Sequence, residues 1–260
     1  FVLLSYARPL KIAAIQADLA WENPEANRTY FDQKISAIHN VDLIVLPEMF
    51  ATGFSMNPEG IADTGAMVEW MKATAKTTQA AIAGSLMIKE EDAFYNRFYF
   101  ITPEGACTSY DKRHTFTLAG EHKVYKRGEQ PVIATYKGWK FLLQVCYDLR
   151  FPVFARNTSN YDVMLYVANW PKKRVFAWDT LLKARAIENM SYCIGVNRVG
   201  IDGGNYEYNG YSGIYDSLGA TLAFAEAEEK TIYATLSKTH LEETRNQLNF
   251  LADQDKFELK

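Results

Sequence analysis

Residues 41–46 form an almost unbroken apolar run that ends at Pro47. Such a run is typical of a β-strand that other layers of the protein cover on both faces. Similar strand patterns occupy residues 11–19, 80–89, 95–110, 139–148, 161–170, 192–199, 212–225 and 231–237. Helical patterns over residues 23–38, 66–81 and 173–189 separate several of these strands. The alternation predicts an α/β fold with hairpins inserted into it.

Turn-forming residues divide two of the strand patterns into hairpins. Residues 103–105, Pro-Glu-Gly, predict one tight turn, and residues 216–219 predict another. The glycine-rich residues 200–210 lack the spacing of a phosphate-binding loop, so we expect a surface loop there. In the helix over 173–189, the apolar positions that predict its inner face are Phe176, Leu181, Leu182 and Ile187.

Cys146 stands where the 139–148 strand pattern gives way to charged and turn-forming residues. A thiol at the end of a buried strand leaves the sheet and can face a cleft, which suits a nucleophile. The alternative is a small apolar core residue, the commoner role of a lone cysteine.

Two charged residues occupy equivalent places after other strands. Glu48 directly follows Pro47 among apolar neighbours, and Lys112 follows the return strand of the 95–110 hairpin. The alternative interpretation of Glu48 is a solvated loop glutamate, and that of Lys112 is part of an exposed charged turn. Together with Cys146 they form a coherent chemical set, because a carboxylate can remove the thiol proton and an ammonium favours the thiolate. Lys112 and the backbone N–H of Tyr147 can donate to the oxyanion that follows attack on a carbonyl.

The stretches LPEMFATGF, YDKRH and CYDLRFP, in this order, resemble the nitrilase superfamily of carbon–nitrogen hydrolases over about residues 11–236. KRHTFTLAGEHKVYKRG and ANWP favour its bacterial omega-amidase branch. The resemblance implies a catalytic triad of Glu48, Lys112 and Cys146, with Glu121 as a second glutamate near the thiol. It also implies a four-layer α-β-β-α sandwich of two mixed sheets, and a homodimer or higher homo-oligomer.

The same resemblance implies hydrolysis of the terminal carboxamide of small dicarboxylate monoamides, such as 2-oxoglutaramate or 2-oxosuccinamate, through a cysteine thioester. A nitrilase acting on small nitriles and a non-catalytic scaffold of the same fold are the alternatives. The distal carboxylate of such a substrate needs a cation. Our candidates for this cation are Arg113 and the basic run Lys172-Lys173-Arg174, from which we select Lys173, although such a run is more often a solvated helix start. Our candidates for the wall of a small pocket are Phe50, Phe116, Tyr147 and Trp170, although aromatic residues more often belong to a core.

Composition limits the remaining classes of function. The formal net charge is −3 with no basic patch, so we expect no nucleic-acid partner, and no apolar stretch approaches the ~20 residues of a membrane span. The spacing of the four histidines and three cysteines implies no metal, and we expect no cofactor. The cysteines Cys107, Cys146 and Cys193 do not suggest a disulfide framework, which indicates a cytoplasmic location.

The length of 260 residues, 48% of them hydrophobic, suffices for one large core. We therefore expect a single domain over residues 11–260, with residues 1–10 as a leader or extension outside the fold.

Overall fold

Two six-stranded mixed β-sheets frame the protein in a computed structural model that describes residues 8–259. In chain order the strands are β1 (Leu10–Gln16), β2 (Leu43–Val45), β3 (Ala81–Glu90), β4 (Ala93–Ile101), β5 (Cys107–Asp111), β6 (Ile133–Tyr136), β7 (Trp139–Val145), β8 (Val163–Ala168), β9 (Tyr192–Asn197), β10 (Val199–Ile201), β11 (Glu207–Asn209), β12 (Gly213–Tyr215), β13 (Thr221–Phe224) and β14 (Lys230–Leu236). The helices are α1 (Pro24–Ser36), α2 (Ala66–Thr78), α3 (Glu121–Val124), α4 (Pro152–Ala155), α5 (Val175–Glu188) and α6 (Lys238–Leu248).

The first sheet has the order β14-β1-β2-β3-β4-β5, and the second has the order β13-β12-β9-β8-β7-β6. In the first sheet β1, β2 and β3 run parallel, and in the second β7, β8 and β9 run parallel. The remaining neighbours pair antiparallel. The carboxyl ends of the parallel strands therefore meet at one edge of each sheet, which is where side chains for chemistry are placed in such folds.

Three apolar layers hold the two sheets and their helices together, and they confirm the predicted four-layer α-β-β-α sandwich of two mixed sheets. The middle layer lies between the sheets and includes Val45 and Phe98 from the first sheet and Leu143 from the second. Helices α1 and α2 cover the outer face of the first sheet, and α5 covers that of the second. Strands buried on both faces explain why residues 41–46 read as continuous apolar sequence.

The structure corrects two of our sequence-based expectations. Helix α5 turns Trp178 and Leu182 towards the sheet, whereas Phe176 is 81% exposed and Ile187 is 52% exposed. Residues 200–210 are not a simple surface loop, because β10 and β11 pair there as a small separate hairpin. The predicted hairpins with turns at 103–105 and 216–219 are both present.

The first strand begins at Leu10, which is 1% exposed and pairs with Leu236, so this residue belongs to the fold rather than to the extension we expected over 1–10. Residues 1–7 and 260 lie outside the described residues, and the division into an extension and a single domain over 11–260 stays a prediction. Within residues 8–259, no helix combines the length and apolarity needed to cross a membrane.

Candidate active site

Four of the predicted residues come together where strands of both sheets end. Glu48 follows β2, Lys112 directly follows β5, and Glu121 is the first residue of α3, so these three belong to the first sheet and its connections. Cys146 directly follows β7 of the second sheet. Glu48, Lys112 and Glu121 are each at most 1% exposed, whereas Cys146 is partly exposed at a cavity wall.

One ammonium group lies between two buried carboxylates. Lys112 Nζ is 2.9 Å from Glu48 Oε1 and 3.0 Å from Glu121 Oε2. Burial opposes the charge on Lys112, but Glu121 and Glu48 outweigh it and raise the pKa of the lysine. The pKa of Glu121 is raised on balance, because burial and the charge of Glu48 raise it more than Lys112 lowers it. The three groups are therefore mutually dependent, since none of them is solvated on its own.

Glu48 is held by contacts that cross from the second sheet to the first. The backbone N–H of Asn169, the residue after β8, donates to Glu48 Oε2 at 2.8 Å. The side-chain amide of Asn169 donates to the backbone oxygen of Glu48 at 2.6 Å. The carboxylate is thus fixed in direction by donors from both sheets.

The backbone turns sharply at the thiol. Cys146 has a φ of +45°, in the left-handed region that non-glycine residues rarely occupy. Asp148 stabilises this turn, because its buried Oδ2 accepts from the N–H of Val145 at 2.8 Å and from the hydroxyl of Tyr110 at 2.8 Å. The strand end and the turn together aim Cys146 away from the sheet, as the sequence pattern predicted.

Burial raises the pKa of the Cys146 thiol well above its ordinary value, and Glu48 raises it further while Lys112 lowers it. The resting sulfur is therefore protonated at neutral pH. A general base must accept this proton during attack, and Glu48 is the carboxylate placed to do so.

A cavity of about 430 Å³ opens in front of the thiol. Of the residues that we expected near a substrate, Cys146, Tyr147, Phe116 and Trp170 line it. The ring of Phe116 packs edge-on against Tyr147 at 5.0 Å between centroids. A largely aromatic cavity with a nucleophile at its wall is a typical small-molecule site.

Three of our substrate-binding candidates lie elsewhere. Phe50 is fully buried beneath α1 and α2, where its ring packs against Phe31 and Trp70. Arg113 lines a separate cleft and donates to the backbone oxygen of Glu129 at 2.7 Å. Lys173 is exposed and is not among the residues that line the cavity. None of these three lines the cavity in front of the thiol, which does not favour their predicted contact with a substrate.

Two arginines line the cavity, and one of them, Arg174, belongs to the predicted basic run. Arg150 stands in the short 3₁₀ turn after Cys146, and its guanidinium lies 5.0 Å from the ring centre of Trp170. Arg174, the last residue of the basic run 172–174, lies 5.4 Å from the ring centre of Phe116. Within residues 8–259, neither forms an ion pair with a carboxylate, so both guanidinium groups are free to bind an anion.

The β10–β11 hairpin supplies another wall of the cavity that the sequence did not indicate, through Asp202, Tyr206 and Tyr208. Asp202 serves the hairpin itself, because it accepts from the hydroxyl of Tyr208 at 2.7 Å and from two backbone N–H groups of the turn. The spacing of Asp202 before two glycines was the available signal for such a turn.

Comparisons with known proteins agree with this geometry. The profile of the carbon-nitrogen hydrolase family matches residues 11–246. An omega-amidase of Escherichia coli, YafV, is 45% identical over 254 residues, which are 96% of this chain and 98% of that protein. A 2-oxoglutaramate amidase of Bacillus subtilis is 32% identical over 252 residues, covering 93% of this chain and 96% of that protein.

Among solved structures, a CN-hydrolase superfamily protein of Xanthomonas campestris, described with an arsenic adduct in its active site, superposes with a TM-score of 0.95 at 38% identity. The match covers 97% of this chain and 100% of that one. The fold and the sequence together define a carbon–nitrogen hydrolase, and the chain belongs to this family within the nitrilase superfamily. Its similarity to the omega-amidase branch, predicted from the sequence stretches, is confirmed.

Proposed function

We propose that this protein is an omega-amidase, which hydrolyses the terminal carboxamide of small dicarboxylate monoamides to an acid and ammonia. The observation that carries this proposal is a thiol at the wall of a cavity, with a buried Glu-Lys-Glu cluster behind it and two arginines in the same wall that form no ion pair within residues 8–259. The omega-amidase and 2-oxoglutaramate amidase relatives support the same substrate class.

The reaction follows from Cys146 and Tyr147 at the cavity wall and from the buried Glu48 and Lys112 behind it. Glu48 takes the proton of Cys146 as the sulfur bonds to the amide carbon, and the carbonyl oxygen becomes an anion. Lys112 and the backbone N–H of Tyr147 donate to this oxyanion. Glu48 then returns its proton to the nitrogen as the C–N bond breaks, which releases ammonia and leaves a thioester.

Water completes the cycle. Glu48 removes a proton from the water as its oxygen attacks the thioester, and the thiolate of Cys146 leaves and recovers that proton. Glu121 keeps Lys112 oriented through both halves of the reaction, because it bonds Nζ through both of its oxygens at 3.1 and 3.0 Å.

Arg150 and Arg174 are the groups that we propose to bind the distal carboxylate of substrates such as 2-oxoglutaramate or 2-oxosuccinamate. We expect Arg150→Met and Arg174→Met each to lower kcat/KM for a monoamide carrying that carboxylate by about 10–100-fold, since charged hydrogen bonds contribute about 1.5–3 kcal/mol. For a neutral primary amide of equal length, kcat/KM should change little. The matched control is Lys173→Met, a neighbouring cation outside the cavity. Equal losses on the charged and neutral amides would contradict this assignment.

The experiment that tests the function as a whole measures ammonia release from purified protein with a panel of omega-amides and with nitriles of matched size. We expect ammonia from the amides that carry a distal carboxylate and none from the matched nitriles. Faster release from the nitriles would identify a nitrilase, and no release from any compound would leave the scaffold alternative.

We further propose a homodimer in the cytoplasm. Val153, Phe250 and Phe257 expose 42–58% of their surface and line one groove, a pattern typical of a subunit contact. The three cysteines are free, which suits a reducing compartment. Sedimentation analysis tests the dimer, and Phe250→Glu should shift it towards the monomer.

A further inference from the structure

Asn96 stands in β4 at the centre of the buried ion cluster and contacts three of its members. Its Nδ2 donates to Glu48 Oε1 at 2.8 Å and to Glu121 Oε1 at 3.2 Å. Its backbone oxygen accepts from the N–H of Lys112 at 3.0 Å. We propose that Asn96 is a positioning residue that fixes both glutamates around one ammonium, an inference that rests on the amidase function proposed above.

A second hydrogen bond determines which way the amide of Asn96 points. Ser85 Oγ accepts from the backbone N–H of Met49 at 2.9 Å, so its single hydroxyl proton is available to Asn96 Oδ1, which lies 2.9 Å away. Because Oδ1 is taken as an acceptor, Nδ2 faces the two carboxylates. Met49 is the residue after Glu48 and has a φ of +44°, so the same chain of bonds holds the backbone turn that carries the base.

The charge balance explains why a neutral donor is needed here. Two carboxylates share one ammonium, and all three groups are buried, so the carboxylates repel each other at low dielectric. Asn96 stabilises both without adding a charge. Three donors, from Lys112, Asn96 and Asn169, then bind the two oxygens of Glu48, and rotation of this carboxylate would break all three hydrogen bonds.

The sharpest test is Asn96→Asp, which keeps the size of the side chain and replaces the donor with a third carboxyl group. The ionisable groups of this pocket are Glu48, Glu121, Lys112, Cys146 and Tyr125. We expect kcat to fall about 100-fold because the base is displaced. We also expect the acid limb of the kcat/KM profile to move to higher pH, because a third carboxyl group adds negative charge to the buried cluster. KM should change by about threefold or less, since Asn96 does not line the cavity.

The matched control is Asn157→Asp, the same change at a buried asparagine whose side chain, within residues 8–259, bonds only backbone groups of Tyr161 and Asn189. It should lower stability and leave the pH profile in place. Ser85→Ala provides a second, milder variant, because it keeps Asn96 but removes the hydroxyl that orients it and that accepts from the N–H of Met49. We expect an intermediate loss of kcat with the pH limb shifted in the same direction.

Alkylation of Cys146 by iodoacetamide, followed by peptide mass spectrometry as a function of pH, tests the inference without any amide substrate. In Asn96→Asp the reaction should be slower at neutral pH, with its pH curve displaced upward. If the parent protein shows no amidase activity, the proposed function is overturned, and the alkylation measurement still tests the role of Asn96. Parent-like alkylation and kinetics in both Asn96→Asp and Ser85→Ala, or an equal pH shift in Asn157→Asp, would overturn the role of Asn96.

Discussion

Cys146→Ala should lower the rate of ammonia release by about 10⁴-fold or more, while the protein keeps its fold. The covalent route begins with a bond from sulfur to the amide carbon, and alanine has no atom that can form it. We expect little loss of stability, because the thiol is partly exposed at a cavity wall and packs only at the margin of the apolar layers. Ammonia release and far-UV circular dichroism, measured on the same preparation, check both halves of this expectation.

The control for that variant is Cys107→Ala, which removes an exposed thiol on β5. It should retain the full rate, and in a short incubation with an omega-amide only proteins that keep Cys146 should accumulate a thioester, visible as a mass increase. Near-parental turnover by Cys146→Ala would rule out the thioester mechanism.

Lys112→Met should reduce activity by about 10²–10³-fold and also destabilise the protein by about 3–5 kcal/mol. The first effect comes from the loss of an oxyanion donor. The second arises because Glu48 and Glu121 would stay buried without their ammonium. Chemical denaturation and ammonia release measure the two effects separately.

The pH dependence of this variant has a definite sign. Glu121 already has a pKa above its ordinary value of 4.5, and without Lys112, which lowers it, this pKa rises further. A folded-state pKa above the unfolded value contributes stability that is present below the unfolded value and is lost as pH rises through the folded one. The deficit in unfolding free energy relative to the parent should therefore grow as pH rises above 4.5, the ordinary pKa of this carboxyl group.

A double variant separates the effect of net charge on stability from the effect of Lys112 on catalysis. In Lys112→Met/Glu121→Gln the cluster regains its original net charge, so part of the stability should return while the activity stays low. If the double variant were as unstable as Lys112→Met alone, the loss would come from packing rather than from the unpaired carboxylates.

The main features of the site could be predicted from the sequence because each lies at a strand end. Glu48 and Cys146 follow apolar runs that only a doubly covered strand explains, and the carboxyl ends of parallel strands lie along a common edge. The sandwich itself came from the resemblance, since alternating strands and helices indicate α/β but do not specify how sheets stack.

The remaining residues depended on directions that local sequence does not determine. Arg113 lies at a separate cleft, whereas the turn after Cys146 presents Arg150 to the cavity. Of the predicted basic run 172–174, Arg174 lines the cavity and Lys173 does not. Asn96 lies inside a strand, and a polar residue in a strand pattern usually predicts a side chain that faces solvent. In the hairpin wall, the ring of Tyr208 lies 4.8 Å from the guanidinium of Arg198, whose Nη2 donates to Asp18 Oδ1 at 3.0 Å across 180 residues of chain.

The base and the nucleophile belong to different sheets, and only Asn169 bonds directly from the second sheet to the carboxylate of Glu48 within the described residues. The packing of the middle apolar layer therefore sets the distance over which the proton passes from Cys146 to Glu48. A substitution that removes one methyl group from this layer, away from the cavity, should disturb the alignment of Glu48 and Cys146 without unfolding the protein. The catalytic rate should therefore report on the packing between the two sheets.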